Sequence, residues 1–298
     1  MLPPTINCQL SDKPDIVILT AKYDDTSSFA KNAVHGPDKV LECLNTQIEI
    51  FDRIHKKSTL YLIKIAHKDF GILNGRGPEE VFSEIKSGYR EVLDGGSIPI
   101  LIGGEHSVSI GALAALAEKV DPSTVTVVQV DAHLDIRDDD SDYHEHPNKF
   151  AHSTVMRRIH EMGFPLVQVG IRMYAEDEYE YVYSHPDTIS VFEWGLKIPS
   201  VSEIISVIKT KYVYFTVDID GIDPAHLPGT GTPVPGGLEW YYFFDLMGKL
   251  FEQREVLGAD VVEVAPQKDS IVTEFGVAQI VYTMCGYIEA SGRKNTVG

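Results

Sequence analysis

The residues of this chain best placed to do chemistry are Asp131, His133 and Asp135, in the stretch Val127-Val128-Gln129-Val130-Asp131-Ala132-His133-Leu134-Asp135. Two carboxylates and an imidazole recur at every second position. On an extended chain, that spacing turns all three to one side. The apolar, β-branched run before them reads as a buried strand. Acids and an imidazole crowded at a strand end either repel and take up protons or grip a cation. Oxygen and imidazole donors together suit Mn, Zn or Fe. A solvated turn after a strand is the plainer alternative, so the question is whether other segments bring matching donors.

They do. His106 follows the strand-like run at 98–102, within Gly103-Gly104-Glu105-His106-Ser107. Asp218 and Asp220 follow another at 212–217. The tally is four carboxylates and two imidazoles, and one divalent ion that also keeps a water rarely needs so many. Two ions about 3.5–4 Å apart can share bridging carboxylates and a water, whose pKa falls toward neutrality to give a hydroxide nucleophile. The donor set contains no thiolate, which disfavours structural zinc and suits Mn.

The elements that must position these groups alternate. Strand patterns at 15–19, 60–65, 98–102, 127–130, 166–170, 188–192, 212–217 and 258–264 are interleaved with helical ones. Gly36-Pro37 opens a helix whose stripe is Val40, Leu41, Leu44, Ile48 and Phe51. Gly77-Pro78-Glu79-Glu80 opens the next, which Asp94-Gly95-Gly96 ends. Further helical patterns cover 111–120, 152–162, 200–209, 238–252 and 273–290, while 137–150 and 229–237 read as loops. This alternation predicts a parallel sheet covered on both faces. Ligands in such folds bind beyond the carboxyl ends of the strands, where every polar cluster above falls. Without a linker, repeat or low-complexity segment, residues 1–298 read as one domain.

A formal net charge of −18 argues against nucleic acid or an anionic membrane as partner and mildly favours a cationic ligand. Cys8, Cys43 and Cys285 are far apart and form no CxxC pair, so neither a disulfide framework nor a thiolate metal site is indicated. With no signal-like N-terminus and no apolar run of about 18 residues, the expectation is a soluble, cytoplasmic protein.

Three stretches, Gly103-Gly104-Glu105-His106-Ser107, Asp131-Ala132-His133-Leu134-Asp135 and Asp218-Ile219-Asp220-Gly221-Ile222-Asp223-Pro224, resemble the signature motifs of the ureohydrolases, the arginase and agmatinase family. The similarity runs from about residue 15 into the last helix. It implies a three-layer α/β/α fold with a mainly parallel central sheet and a binuclear centre of two Mn2+. One ion would be held by His106, Asp131, Asp135 and Asp218. The other would be held by Asp131, His133, Asp218 and Asp220, with Asp131 and Asp218 bridging. The implied reaction is hydrolysis of a guanidinium to urea and an amine, by a homo-oligomer, often a trimer or hexamer.

The chemistry of the residues agrees. A guanidinium is a poor, cationic electrophile, and a carboxylate must orient its planar fork. Glu263, in Asp260-Val261-Val262-Glu263-Val264-Ala265-Pro266, ends another strand and is the candidate. His152, in Ala151-His152-Ser153-Thr154, stands where the family carries its catalytic histidine, and its near-neutral intrinsic pKa suits a proton shuttle. Asp223 before Pro224 reads as a turn former.

Substrate choice turns on the far end of the guanidino compound. The arginase-type Ser-Gly-Asn segment is absent after Asp135, and an acidic stretch with Asp138, Asp139, Asp140, Asp142 and Glu145 stands instead. It would repel a carboxylate and attract an amine, with Asp138 and Asp139 as candidate substrate contacts. The run at 224–233 also resembles the agmatinase version of its loop. Agmatine is therefore the first expectation, with putrescine as the amine product, and aminopropylagmatine satisfies the same acidic mouth. Guanidinobutyrate or guanidinopropionate would use Arg137 or Lys149. An inactive polyamine-binding relative is the alternative outside catalysis, although all the donor groups are present.

Overall fold

The computed structural model describes residues 4–195 and 197–292. In chain order the strands are β1 (Ile16–Lys22), β2 (Phe51–Asp52), β3 (Lys57–Ser58), β4 (Ile65–Ile72), β5 (Ile98–Gly103), β6 (Val125–Val130), β7 (Leu166–Ile171), β8 (Ile189–Glu193), β9 (Tyr212–Asp218) and β10 (Glu255–Val262). The helices are α1 (Gly36–Thr46), α2 (Pro78–Asp94), α3 (Ser109–Ala117), α4 (Val155–Glu161), α5 (Glu176–Tyr183), α6 (Val201–Val207), α7 (Trp240–Gln253) and α8 (Val272–Ser291).

One sheet runs in the order β4-β1-β5-β10-β9-β6-β7-β8, and its neighbouring strands pair in parallel. The β2-β3 pair forms a separate antiparallel ribbon. Alternate residues of each strand enter opposite cores, as the period of two demands. Ile16, Ile18, Ile100 and Ile102 pack with residues of α1, α6, α7 and α8 on one face. Val17, Leu19, Leu101 and Val127 pack with residues of α2, α3 and α4 on the other. The result is the expected three-layer α/β/α arrangement with a parallel central sheet. Full burial of each such aliphatic side chain contributes about 1.5–3 kcal/mol, so the sheet is anchored from both sides.

Two glycines let the strand ends meet. A Cβ on Gly104 would lie 2.0 Å from the Tyr23 carbonyl oxygen, and one on Gly221 would lie 2.5 Å from the Asp131 backbone nitrogen. Both follow strands that carry site residues, so the close approach is a condition of bringing the motifs together.

The structure departs from the sequence reading on the β1 side of the sheet. The strand expected at 60–65 lies at Ile65–Ile72 instead, and Thr59–Tyr61 forms a 3-10 turn. β4 is an edge strand buried only at Ile65 and Ala66 and partly open beyond them, so its charged and polar residues masked it, while the apolar run before it looked strand-like. α1 stops at Thr46, and Phe51 belongs to β2 rather than to the helical stripe. α5, short and rich in acids, has no apolar stripe strong enough to announce it.

Candidate active site and metal centre

The four adjacent central strands β5, β10, β9 and β6 deliver the donor groups from their carboxyl ends. After β5, Glu105 caps a 3-10 turn by accepting the Ser107 N–H at 2.8 Å, which aims His106 inward. After β6, Asp131 Oδ1 accepts the His133 N–H at 2.6 Å. After β9, Asp218 Oδ1 accepts the Asp220 N–H at 3.0 Å, capping a further 3-10 turn. Asp220 Oδ1 accepts the Ala132 N–H at 3.0 Å, which fastens the second and third motifs to each other. Arg172, just past β7, donates to the carbonyls of Asp220 at 2.6 Å and Val234 at 2.5 Å, holding the 232–235 loop against that turn.

The side chains fall into two clusters of converging donor atoms: His106, Asp131, Asp135 and Asp218, and Asp131, His133 and Asp220. His106 Nδ1 lies 3.2 Å from Asp131, 3.1 Å from Asp135 and 3.6 Å from Asp218. His133 Nδ1 lies 3.1 Å from Asp220 and 3.5 Å from Asp131. Asp131 belongs to both clusters. Asp218, expected to bridge as well, converges with the first cluster, and its Oδ1 accepts the Asp220 N–H.

The electrostatics of this cluster call for positive charge. Burial, reinforced by Asp220 and Asp131, raises the Asp218 pKa well above the usual carboxylate range. Burial and Asp131 push that of Asp135 up to about 7. Burial penalises charge on the histidines, yet the carboxylates outweigh it. His106 is raised well above its ordinary value by hydrogen bonds to Asp131 and Asp135, and His133 is raised to about 12, chiefly by Asp220. Buried acids crowded together, with imidazoles among them and no thiolate, form a donor set that fits divalent ions of the Mn type.

Glu263 and His152 flank the clusters. Glu263 follows β10 in left-handed backbone, φ 65°, and its carboxylate accepts the His106 N–H at 2.9 Å. Asp135 shares that backbone region, φ 50°. Burial, with Glu105 nearby, lifts the Glu263 pKa well above the usual range, so a cation beside it would keep it ionised. His152 Nε2 accepts the Ser28 N–H at 3.2 Å, which leaves the proton on Nδ1, 4.0 Å from Glu263. Enclosure, reinforced by His133 and His106, pushes the His152 pKa down to about 3.

Above these groups lies a cavity of about 570 Å³. His133, Asp135 and His152 line it, together with Phe29, Tyr143, Met173 and Tyr174. Asp138 and Asp139 are not among its lining residues. Asp138 faces outward to Lys149 and Arg158, and Asp139 accepts the Ser141 N–H at 3.0 Å. The carboxylate that does line the wall is Glu178, on α5. Its oxygens accept the N–H groups of Ile136 at 3.1 Å and Ala175 at 2.9 Å, and Arg137 Nε stands 3.7 Å away. Ser153 also lines the cavity, and its hydroxyl has no partner among the described residues. Neither Glu178 nor the aromatic wall carries a sequence signal, since each acts from an isolated position. Asp223 is a turn former as expected, accepting the N–H groups of Ala225, Gly236 and Gly237.

Fold and site together define a hydrolase built to hold divalent metal in an α/β/α sandwich. The family model described as the Arginase family matches residues 14–286, and the chain belongs to that family. It is 32% identical over 295 residues to the N(1)-aminopropylagmatine ureohydrolase of Synechocystis sp., covering 94% of this chain and 90% of the relative. It is 30% identical over 263 residues to the agmatinase of Halalkalibacterium halodurans, covering 87% and 86%. Among solved structures, the agmatine ureohydrolase of Thermoplasma volcanium superposes with a TM-score of 0.82 at 28% identity, covering 97% of this chain and 95% of that one. The chain is thus a ureohydrolase of the agmatinase and aminopropylagmatine ureohydrolase type, a metal-dependent hydrolase of guanidino groups. No helix among the described residues is long and apolar enough to cross a membrane.

Proposed function

We propose that the protein hydrolyses an amine-tailed alkylguanidine to urea and the corresponding amine, with N(1)-aminopropylagmatine as the preferred substrate. The observation that carries this reading is the buried acid-imidazole cluster whose His133 and Asp135 line a cavity shared with aromatic residues and the Glu178 carboxylate. His106, Asp131, Asp135 and Asp218 would hold one ion, and Asp131, His133 and Asp220 the other. Two divalent ions held there, manganese in this reading, would supply Lewis acidity and lower the pKa of a water toward neutrality.

The remaining work falls to the chain. Glu263 pairs with the planar fork of the guanidinium and turns its carbon toward the cluster. The substrate's charge keeps that carboxylate ionised despite its burial. As the C–N bond to the alkylamine breaks, the leaving nitrogen needs a proton. The attacking water releases a proton in the same reaction; His152, neutral in its enclosed position, would take that proton up and pass one to the leaving nitrogen, ending neutral as it began. Phe29, Tyr143 and Tyr174 offer faces to the alkyl chain and its ammonium groups. Glu178 receives the distal ammonium.

Agmatine is the second reading. It offers the same guanidinium and one amine but fills less of the cavity. The test is a substrate panel on Mn2+-loaded protein, with urea measured and the amine identified. Expected is release of urea from both amine-tailed compounds, faster for the longer one. Preference for guanidinobutyrate or guanidinopropionate, or no urea from any guanidino compound, overturns the proposal.

A further inference from the structure

Asp260 lies on β10, fully buried, and the chemistry above does not use it. Its carboxylate accepts three hydroxyl hydrogen bonds. Ser109 Oγ and Tyr214 Oη donate to Oδ2 at 2.8 and 2.7 Å, and Thr216 Oγ1 donates to Oδ1 at 2.6 Å. Thr216 Oγ1 also lies 2.9 Å from His106 Nε2. The other ring nitrogen, Nδ1, faces Asp131, Asp135 and Asp218.

Proton counting orders this chain. A threonine hydroxyl has one proton and two lone pairs. Burial raises the Asp260 pKa, and the three hydroxyl donors oppose that by favouring the carboxylate; a carboxylate only accepts, so the Thr216 proton goes to Asp260. What Thr216 turns to His106 is then a lone pair, and Nε2 must carry a hydrogen to meet it. With one hydrogen held on Nε2, the proton that Nδ1 shares with Asp131 and Asp135 is the one a cation would displace, and the nitrogen so bared is what a metal ligand needs. Reversing the chain, so that Thr216 donates to Nε2, would leave Asp260 short of a donor and put the ring's only hydrogen on the nitrogen that faces the acids.

We propose that Asp260 is a positioning residue that, through Thr216, fixes His106 with its hydrogen on Nε2 and so makes Nδ1 the cation-facing donor. The inference rests on the reading that a cation sits at His106. Partners of this kind typically change metal affinity by about 10–100-fold. Ser109 and Tyr214 complete the shell around Asp260 without a side-chain hydrogen bond to the His106 ring.

The test is Mn2+ binding by equilibrium dialysis and calorimetry, on wild type and on Thr216→Val, Thr216→Ser, Asp260→Asn and Ser109→Ala. Thr216→Val keeps the shape but breaks the relay. It should weaken one of the two ions by about 10–100-fold and leave the other near its wild-type affinity. Thr216→Ser should restore binding, Asp260→Asn should resemble Thr216→Val, and Ser109→Ala should stay near wild type. Wild-type affinity for both ions in Thr216→Val overturns the inference alone, as does a Thr216→Ser variant no better than Thr216→Val. Wild-type protein that binds no divalent cation overturns the proposed function and this inference together. If Asp260→Asn fails to fold, the threonine pair still decides the matter.

Discussion

Glu178→Gln separates recognition of the substrate tail from the chemistry at its head. The carboxylate lines the cavity wall, and Arg137 Nε at 3.7 Å is its ion-pair partner among the described residues. A distal ammonium about 4 Å from an unscreened carboxylate would gain about 4 kcal/mol at an effective dielectric of roughly 20. Arg137 offsets part of that. The net loss on neutralising Glu178 is then expected in the range of a charged hydrogen bond, about 1.5–3 kcal/mol. At about 1.4 kcal/mol per decade, kcat/KM for aminopropylagmatine should fall roughly 10–150-fold. The amide keeps one acceptor oxygen for the N–H groups of Ile136 and Ala175, so stability should also fall, by about 1–3 kcal/mol for the group left unpaired. Urea release from butylguanidine, which has no tail amine, is the internal control. It should change little, whereas the amine-tailed substrates lose their advantage over it. An equal fall for both compounds would mean that Glu178 merely supports the loop through its backbone contacts. No fall for either would mean that the tail does not reach it.

Other outcomes follow from the same geometry. Asp131→Asn removes the carboxylate common to both clusters and should weaken ion binding by at least about 100-fold, with urea release lost, as read by bound Mn per chain. His152→Asn should lower turnover by about 100- to 10,000-fold while two ions stay bound; loss of metal in that variant would contradict its role as a proton donor. Gly221→Ala drives a Cβ to 2.5 Å from the Asp131 nitrogen, so urea denaturation should show a loss of about 1–3 kcal/mol together with weaker ion binding.

The head of the site was legible because its parts lie in tandem. Asp131, His133 and Asp135 announce themselves by period, and each partner motif directly follows an apolar run that could only be a buried strand. A parallel sheet sends all such ends to one edge, so distant residues could be brought together on paper. The tail of the site was not legible. Asp138 and Asp139 drew attention by charge, yet Lys149 and Arg158 satisfy Asp138 away from the cavity. Glu178 sits on a short polar helix, and nothing in its neighbours marks it as the acid that faces inward. Asp260 looked like part of the Glu263 motif, and only the side chains from β9 and α3 reveal what it holds. Edge strand β4 was misplaced for a related reason: partial burial dilutes the apolar signal that central strands carry undiluted.

Asp135 and Glu263 both stand in left-handed backbone, a conformation that disfavours side chains with a Cβ. Each such residue carries a penalty of order 1–3 kcal/mol. Glycine would be free of it at either position; asparagine would suffer less than the glutamate at 263, whereas the aspartate at 135 is already among the tolerant residues. A library selected for thermal tolerance alone should therefore drift toward Gly at 135 and toward Gly or Asn at 263, and its most robust members should be inert toward guanidines. Selection that also demands urea should hold the two acids in place, at the expense of a few degrees of melting temperature.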